Sequence, residues 1–486
     1  MRLAASPSLL NRRIAYSDSA LSANQVRMDA AWQVAKELSS DWRVAAAALA
    51  FPFAASRLPA SLRALSSFKT LLHAETNLGR WLGAVSGNSW SLRAGGFLGG
   101  AATLVGCGDE NSPLSDSGLQ APRSIEAQAA EYPVMPMASR GTLQGFQASL
   151  SEAGQLAVTW AEVNPSSRVF LRVFPASGNP LNVVEVARPE NAVALVPQVS
   201  SLDDGTSLVS WTESLGVGRE TGMMARRFSN VGQPLGDSFT IVPFELREPA
   251  IVGRTALNAD GSFVVVSNEN SRSCGVCARN YGANNVQTSV VTLSNPGESV
   301  LTSYISGSSQ GEWAWAGMVE RTDGQSEIRF RAYVPGRGFG APVSFVVPNL
   351  GSGTSIQLAV LPHNRSLLVW QTAQGLRGRL FSFNGDALSE LITLNSVPLG
   401  SNVSVTSDQV GAFIVAWEAE GQIRASLIAS DGRNIADNLN ISGDSVGNSQ
   451  VTVTANEHGR VSFAWMHFQP SPAGNQIVAR DYQIRY

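Results

Sequence analysis

The feature that most constrains the fold is a motif that recurs seven times in the C-terminal part of the chain. A turn residue, usually glycine, is followed six residues later by a tryptophan in five of the seven copies. Apolar, β-prone residues fill the interval, and successive copies are 47 to 56 residues apart, the period of a small β-sheet repeat. The seven pairs are Gly154/Trp160, Gly205/Trp211, Gly261/Ser267, Gly311/Gly317, Asn364/Trp370, Gly411/Trp417 and Gly459/Trp465.

A second marker follows the first in each copy: an arginine, with an aromatic residue two positions later in all copies except the sixth, which has Ser426 there. Turn residues and further β-prone segments then complete a unit of four strands, which we label A to D, with tryptophan on B and arginine on C. Packing such units radially covers both apolar faces of each one, so the pattern predicts an all-β, seven-bladed β-propeller of four-stranded antiparallel blades. The markers are Arg172/Phe174, Arg226/Phe228, Arg279/Tyr281, Arg331/Tyr333, Arg379/Phe381, Arg424/Ser426 and Arg480/Tyr482.

The two ends of this region predict how the ring closes. The chain ends at Tyr486, just after strand C of the seventh repeat, so that repeat lacks a strand D of its own. The segment 132–138 immediately precedes strand A of the first repeat. We predict that it completes the last blade, because an unpaired sheet edge promotes aggregation and its two prolines suit an outer strand.

Composition divides the chain into four parts. Residues 1–90 are rich in Ala, Ser, Leu and Arg and carry no motif, 91–107 have the layout of a signal peptide, 108–131 have the composition of a flexible tether, and 132–486 form the propeller. An export signal belongs near an N-terminus. Residues 1–90 are therefore either the product of a wrongly assigned start site or a genuine extension of unassigned structure.

The signal-like segment ends in a specific pattern. Arg93 is followed by an apolar Gly- and Ala-rich stretch and then by Leu104-Val105-Gly106-Cys107, which resembles the lipobox of bacterial lipoproteins. The resemblance implies a diacylglycerol on the Cys107 thiol and cleavage of the preceding peptide bond. Gly108 in place of aspartate implies retention at the outer membrane. The alternative is a buried segment that contains a cysteine by chance.

A second resemblance concerns the repeats. The second copy, from Pro197 through Trp211 and Arg226 to Gly236, resembles the tandem propeller repeats of large bacterial surface and secreted proteins. The resemblance implies a propeller outside the cell and no particular chemistry. Copies three and four depart from it, because they lack the tryptophan.

The other two cysteines lie close together, as Cys274-Gly275-Val276-Cys277 in the B–C loop of the third repeat. Zinc usually takes four ligands and no second pair exists. In an oxidising compartment we expect Cys274 and Cys277 to form a disulfide, which together with a lipid on Cys107 accounts for all three cysteines.

The remaining candidates for chemistry have structural explanations. The arginines lie on the third strand from the axis, so we expect them to bind backbone carbonyls or acids rather than a ligand in the channel. The tryptophans recur at a packing position. The four histidines form no triad or metal-spaced pair, and the formal net charge of −3 does not favour nucleic acid. We predict no catalytic residue, metal or cofactor.

Loop lengths indicate where a partner would bind. The A–B turns are short, whereas several B–C loops are long, and long variable loops on a rigid frame are typical of binding sites. We predict a monomeric envelope lipoprotein that binds a protein or glycan on the face formed by the B–C and D–A loops. Two alternatives are a glycan hydrolase or lyase with its site at the channel mouth, and a purely structural lipoprotein. The long loops are 212–223, 268–276, 319–327 and 467–475.

Overall fold

The computed structural model describes part of the chain, and everything below concerns that part. Residues 1–118 lie outside it, and with them the predicted extension, signal peptide and lipidated Cys107. The described part contains no helix, and therefore none long and apolar enough to cross a membrane. The described ranges are 119–136, 142–163, 166–215, 220–246, 253–268, 274–295, 298–321, 325–347, 355–396, 402–469 and 474–486.

The described residues form seven antiparallel sheets, and the predicted seven-bladed propeller is confirmed. Two short strands, β1 (Ser124–Ala127) and β2 (Tyr132–Pro133), precede the first blade. In blades 1 to 6 the strands follow one another in sequence order from the inner strand A to the outer strand D, whereas blade 7 takes its outer strands, β1 and β2, from before the first blade. Blades 1 to 3 are β3 (Thr142–Leu150), β4 (Leu156–Val163), β5 (Arg168–Phe174), β6 (Val184–Ala187); β7 (Val193–Ser201), β8 (Ser207–Ser214), β9 (Thr221–Phe228), β10 (Phe239–Leu246); and β11 (Arg254–Leu257), β12 (Phe263–Asn268), β13 (Val276–Tyr281), β14 (Gln287–Ser294).

Blades 4 and 7 differ from the others because two short strands share the outer position. In blade 4 these are β18 and β19, which both pair with β17. Blades 4 to 7 are β15 (Ser299–Gly307), β16 (Trp313–Glu320), β17 (Ser326–Val334), β18 (Gly338–Phe339), β19 (Val343–Val346); β20 (Ile356–Leu361), β21 (Arg365–Thr372), β22 (Gly375–Phe381), β23 (Ile392–Asn395); β24 (Val403–Ser407), β25 (Ala412–Ala419), β26 (Gln422–Ala429), β27 (Asn434–Asn440); and β28 (Asn448–Ala455), β29 (Arg460–Gln469), β30 (Gly474–Arg485).

The hydrophobic core is divided among the seams between blades. Successive side chains of a B strand point to opposite faces, so Trp160 packs against blade 7 while Ala157 packs against blade 2. The seven buried clusters correspond to the seven seams of the ring. A B strand must therefore be apolar on both faces, as the sequence pattern indicated.

The A–B turns are tight because their key residue adopts a left-handed backbone. Gly205 has a φ of 84° and Asn364 a φ of 71°. Residues other than glycine and asparagine rarely adopt this conformation. Since neighbouring strands are antiparallel, these turns and the C–D turns lie at one end of every blade. We call that end the A–B face and the opposite end, with the B–C and D–A connections, the B–C face.

The predicted closure is confirmed, but its boundary was placed too late. β1 and β2 both pair with β30, so the closing strand begins at Ser124, within the segment assigned to the flexible tether (108–131). Ser124 lies opposite Arg485, and Ile125 packs against the core of seam 6/7. An alternation of outward polar and inward apolar side chains over only four residues is too short to stand out in a polar sequence.

Candidate functional site

The recurring arginines hold neighbouring blades together in three of the seams. In each case Nε donates to a carbonyl near the outer strand of the same blade, and Nη1 donates across the seam to a carbonyl of the preceding blade. Arg172 reaches Leu181 O at 3.1 Å and, across the ring-closing seam, Val134 O at 2.6 Å. The same two roles are filled by Gly236 O and Val186 O for Arg226, and by Ala129 O and Ile441 O for Arg480.

The tryptophans at the repeat position are buried in the seams, and several have a polar partner for the indole N–H. Trp160 Nε1 donates to Glu162 at 3.2 Å, and Trp211 Nε1 donates to Glu213 at 2.7 Å. Trp465 Nε1 donates to Asn448 Oδ1 at 3.1 Å. Arginine and tryptophan thus have a structural role wherever both find such partners.

Blade 3 replaces its tryptophan with Ser267. This serine lies directly opposite Cys277, whose side chain occupies the same face of the sheet, toward blade 2. Cys274 and Cys277 form a disulfide, and both cysteines are buried. The disulfide therefore lies in the seam where other blades carry an indole.

Blade 4 has Gly317 at the tryptophan position and a tryptophan two residues earlier. A Cβ on Gly317 would lie 2.3 Å from Cζ2 of Trp315, so the indole of Trp315 covers the glycine. Blades 1 and 2 have valine at the position of Trp315, and their tryptophan lies two residues later, on the same face of the strand. Blade 4 has therefore exchanged the large and small residues of the pattern, and its indole enters the seam from a different point.

A cavity of about 500 Å³ lies beside this exchange, between the outer parts of blades 3 and 4. One wall is the end of β14 together with Asn295 and Glu298, which follow it on the B–C face. The other is formed by β17 and the start of β19. Its lining residues are Thr292, Leu293, Ser294, Asn295, Glu298, Trp315, Glu327, Arg329, Phe330, Arg331, Pro342, Val343 and Ser344. We call this cavity the seam pocket.

One of the two arginines in the seam pocket is neutralised within it. Arg329 Nε donates to Glu327 at 2.6 Å, and its Nη1 donates to Glu298 at 2.8 Å. Burial opposes ionisation of Glu298, but the hydrogen bonds from Arg329 and from the Asn295 amide outweigh that effect and lower the pKa of Glu298. Arg321 Nη1 also lies 3.7 Å from Glu327, so two arginines offset the two carboxylates and the ion pairs leave little net charge on this wall.

The other arginine, Arg331, is not neutralised. Its Nε makes a long hydrogen bond of 3.4 Å to Gly340 O, and its guanidinium lies 4.4 Å from the ring centre of Phe339. Within the described residues its Nη atoms have no hydrogen-bond acceptor. Trp315 lies directly opposite Arg331 in the sheet, and its buried Nε1 also lacks an acceptor there. Two adjacent donors that line one cavity are thus without protein partners.

Carboxyl groups with a raised pKa lie elsewhere, in the A–B turns. Burial raises the pKa of Glu152 to about 7, and burial also raises the pKa of Glu312 and of Asp408. None of the three lines the seam pocket or the central channel, a cavity of about 210 Å³ bounded by the A strands. The residues described around that channel are uncharged and mostly Ser, Thr and Gln.

Glu152 belongs to a small cluster on the A–B face. Its Oε2 accepts the Glu457 N–H at 2.8 Å, and Glu152, Glu457 and His458 each bring a potential metal-ligand atom within 4.8 Å of the others. Glu457 and His458 are exposed. The cluster bridges the A–B turns of blades 7 and 1, where the ring closes.

The sequence markers include one residue of the seam pocket, Arg331, but they predict a structural role for it rather than contact with a ligand. The sequence also predicts a ligand on the B–C face. Trp315, Arg329, Glu298 and Glu327 were missed. The available signal was the alternation Glu327-x-Arg329-x-Arg331, which places three charged side chains on one face of a strand. The predicted long B–C loops lie partly outside the described residues.

These features define, within the described residues, a seven-bladed β-propeller with a pocket of mixed polar and apolar lining between blades 3 and 4. No family model matches the sequence, and no curated protein matches it. Among solved structures, the chain is similar to a protein of unknown function from Dyadobacter fermentans at 12% identity and a TM-score of 0.43, over 73% of this chain and 99% of that one.

Two further solved structures show a similar degree of likeness. The β-propeller domain of the trilobed protease from Pyrococcus furiosus, described as having an open velcro topology, is 8% identical, with a TM-score of 0.42 over 70% of this chain and 96% of that one. The GH93 α-L-arabinofuranosidase of Fusarium graminearum in complex with arabinobiose is 12% identical, with a TM-score of 0.42 over 73% and 98%. At these sequence identities and TM-scores, the activities of these proteins are not assigned to this chain.

Proposed function

We propose that the chain is a binding module of the bacterial cell envelope, anchored at the outer membrane through a lipid on Cys107. Its partner is a glycan or a protein, and the binding site is the seam pocket. The observation that supports this most strongly is the pair of unpaired donors, Arg331 and Trp315, in a cavity on a rigid ring. Trp315 Nε1 is buried, and buried donors without acceptors are rare in native structures, so this one favours a ligand that supplies an oxygen.

The position of the pocket supports the same proposal. Asn295 and Glu298, which form part of its wall, belong to a D–A connection on the B–C face. The disulfide of Cys274 and Cys277 lies next to this wall, because the Gly275 N–H donates to Ser294 O at 3.2 Å. A pinned loop beside a pocket of this size suits binding with little reorganisation.

The experiment that tests binding compares two matched tryptophan substitutions in the full chain. Ser344 lines the pocket on β19, and Thr393 occupies the corresponding exposed position on β23 of blade 5. We expect immobilised protein to retain a component of solubilised envelope or of a glycan array, S344W to lose it and T393W to keep it. Equal retention by S344W would overturn the assignment of the pocket, and turnover of a retained glycan would favour the hydrolase or lyase alternative.

The anchor needs a separate test. Expression of the full chain in a bacterial host with metabolic labelling by palmitate is expected to label the protein, and C107S is expected to abolish the label. Mass spectrometry of the same sample determines the mature N-terminus. An unlabelled protein, or peptides from residues 1–85 in the membrane fraction, would contradict the proposed anchor.

A further inference from the structure

The seam pocket carries a more specific inference about its ligand, which rests on the proposed binding function. The argument begins with the repeat arginines as an internal reference. Arg172, Arg226 and Arg480 each donate through Nη1 to a carbonyl of the preceding blade. Arg331 occupies the same position on strand C but makes no hydrogen bond to blade 3 within the described residues. Unlike these three, the guanidinium of Arg331 faces a cavity instead of the backbone of the preceding blade.

Arg379 of blade 5 provides the matched comparison. It also donates only through Nε, to Ser389 O at 3.1 Å, and it also lies near an aromatic ring, that of Phe381. Arg379 does not line the seam pocket or the central channel. An unpaired Nη is therefore not sufficient for a site. What distinguishes Arg331 is the adjacent second donor, the Nε1 of Trp315, in the same cavity.

The charges of the pocket determine what these donors select. Glu298 and Glu327 are paired with Arg329 and Arg321, so Arg331 is the cationic group of the lining that has no carboxylate partner within the described residues. A guanidinium presents parallel N–H donors that match the two oxygens of a carboxylate, and such charge-assisted pairs are among the strongest hydrogen bonds in proteins. The indole N–H is a donor only, so it also requires an oxygen acceptor from the ligand.

The remaining lining residues indicate what carries the carboxylate. Thr292, Ser294, Asn295 and Ser344 offer neutral hydrogen-bonding groups, and Pro342 and Val343 offer small apolar surface. A cavity of about 500 Å³ lies within the usual size range of small-molecule sites. A sugar ring combines hydroxyl groups with apolar C–H faces and fits this lining better than an extended acidic peptide, which would need a free strand edge or a longer groove.

We propose that the seam pocket binds the carboxylate-bearing sugar of an acidic glycan, with Arg331 and Trp315 Nε1 as donors to the carboxylate and the neutral side chains as partners of the ring hydroxyls. The Arg329 ion pairs hold the wall and take no part in the carboxylate contact. An acidic peptide is the competing source of the same group.

The test uses calorimetric titration of the full chain with three probes: an oligogalacturonate, the same oligosaccharide with its carboxyl groups reduced, and a poly-glutamate peptide. We expect measurable binding of the first probe only, weaker at high salt. We expect R331M to lose at least tenfold in affinity, W315F to lose about threefold, and R379M to match the parent. Thermal unfolding of each variant verifies that it is folded.

The outcomes separate this inference from the proposed function. Equal binding of the reduced oligosaccharide, or an equal loss in R331M and R379M, would overturn the carboxylate assignment. If S344W still abolished retention of an envelope component in that case, the proposed binding function would stand without the carboxylate assignment. Preference for the peptide would overturn the sugar assignment, and failure of all three probes would overturn the inference as stated.

Discussion

Two seams contain the same repeat residues but use them differently. One is the ring-closing seam between blades 7 and 1, and the other is the seam between blades 3 and 4. At the closing seam Arg172 donates to Val134 O, and Trp160 donates to Glu162. At seam 3/4 the corresponding arginine and the displaced tryptophan, Arg331 and Trp315, have N–H donors that find no acceptor among the described residues and lie beside a cavity. At the closing seam the repeat arginine and tryptophan are satisfied within the chain, whereas at seam 3/4 the corresponding donors are left for a ligand.

The closing seam has additional polar contacts because its outer strand comes from the far end of the chain. Arg460 pairs with Asp481 at 2.9 Å, and the Tyr132 hydroxyl donates to Asp481 at 3.3 Å. Burial and the Asp481 charge raise the pKa of Tyr132, so the hydroxyl stays protonated and remains a donor. These contacts connect the closing strand to the last blade through side chains as well as through backbone pairing.

The largest effect is expected from removal of the closing strand. A variant that lacks residues 1–136 exposes the edge of β30 and deprives the seam of Val134 and Met135, which are 0% and 2% exposed. Burial of two such side chains contributes roughly 3–6 kcal/mol, so we expect loss of cooperative thermal unfolding and aggregation through the free edge. Calorimetry and light scattering measure both.

The control for this truncation is a variant that begins at residue 119. It keeps β1 and β2 and should unfold at the temperature of the parent domain. A synthetic peptide covering 119–136 should restore a folding transition to the shorter variant in trans. An unchanged transition without the closing strand would show that the ring is stable when open and would remove the physical basis of the comparison.

The second prediction compares the two arginines directly. R172M leaves Val134 O and Leu181 O without their donor, and we expect it to destabilise the protein by about 1–3 kcal/mol. R331M removes one long hydrogen bond and a half-buried guanidinium that has no ion-pair partner within the described residues, so its expected cost is below about 0.5 kcal/mol. Chemical denaturation of both variants measures the difference. Equal losses of stability would mean that Arg331 is a structural residue like Arg172 and that its unpaired N–H groups do not mark a binding site.

The sequence could predict the ring but not the pocket, for a physical reason. A repeat arises because each blade must meet the same packing requirements, and tryptophans 160, 211 and 465 satisfy them at the same register. The pocket arises where one copy departs from the repeat, and a departure such as Gly317 has no period to reveal it. The sequence does not predict the start of the closing strand for a related reason, because β1 is too short to show an alternation of polar and apolar residues.

The third prediction concerns the seam next to the pocket wall. C274A with C277A removes a disulfide that closes a very short loop, and chain-entropy arguments give an expected loss of about 2 kcal/mol. Because Gly275 and Val276 donate to Ser294 beside the pocket, ligand affinity should fall as well. Denaturation under oxidising and reducing conditions is the measurement, and reduction should affect the parent but not the double variant.

The smallest effect is a pH dependence that differs in sign between the two seams. At the closing seam the pKa of Glu152 is raised to about 7, chiefly by burial and then by the charges of Glu457 and Asp203. A carboxyl group whose pKa is higher in the folded state favours folding when protonated. Its contribution is fully present below its ordinary value near 4.5 and is lost as the pH rises through about 7.

E152Q keeps a side-chain acceptor for the Glu457 N–H but cannot ionise. It should therefore raise the stability at pH 8 by on the order of 1 kcal/mol, a figure reduced for partial exposure, and change little at pH 4. Glu298 at seam 3/4 provides the opposite case, because Arg329 lowers its pKa and its contribution is lost as the pH falls. Denaturation of parent, E152Q and E298Q across this range tests both signs. If the stability of both variants changed with pH in the same direction relative to the parent, the two seams would not differ in the sign of their pH dependence.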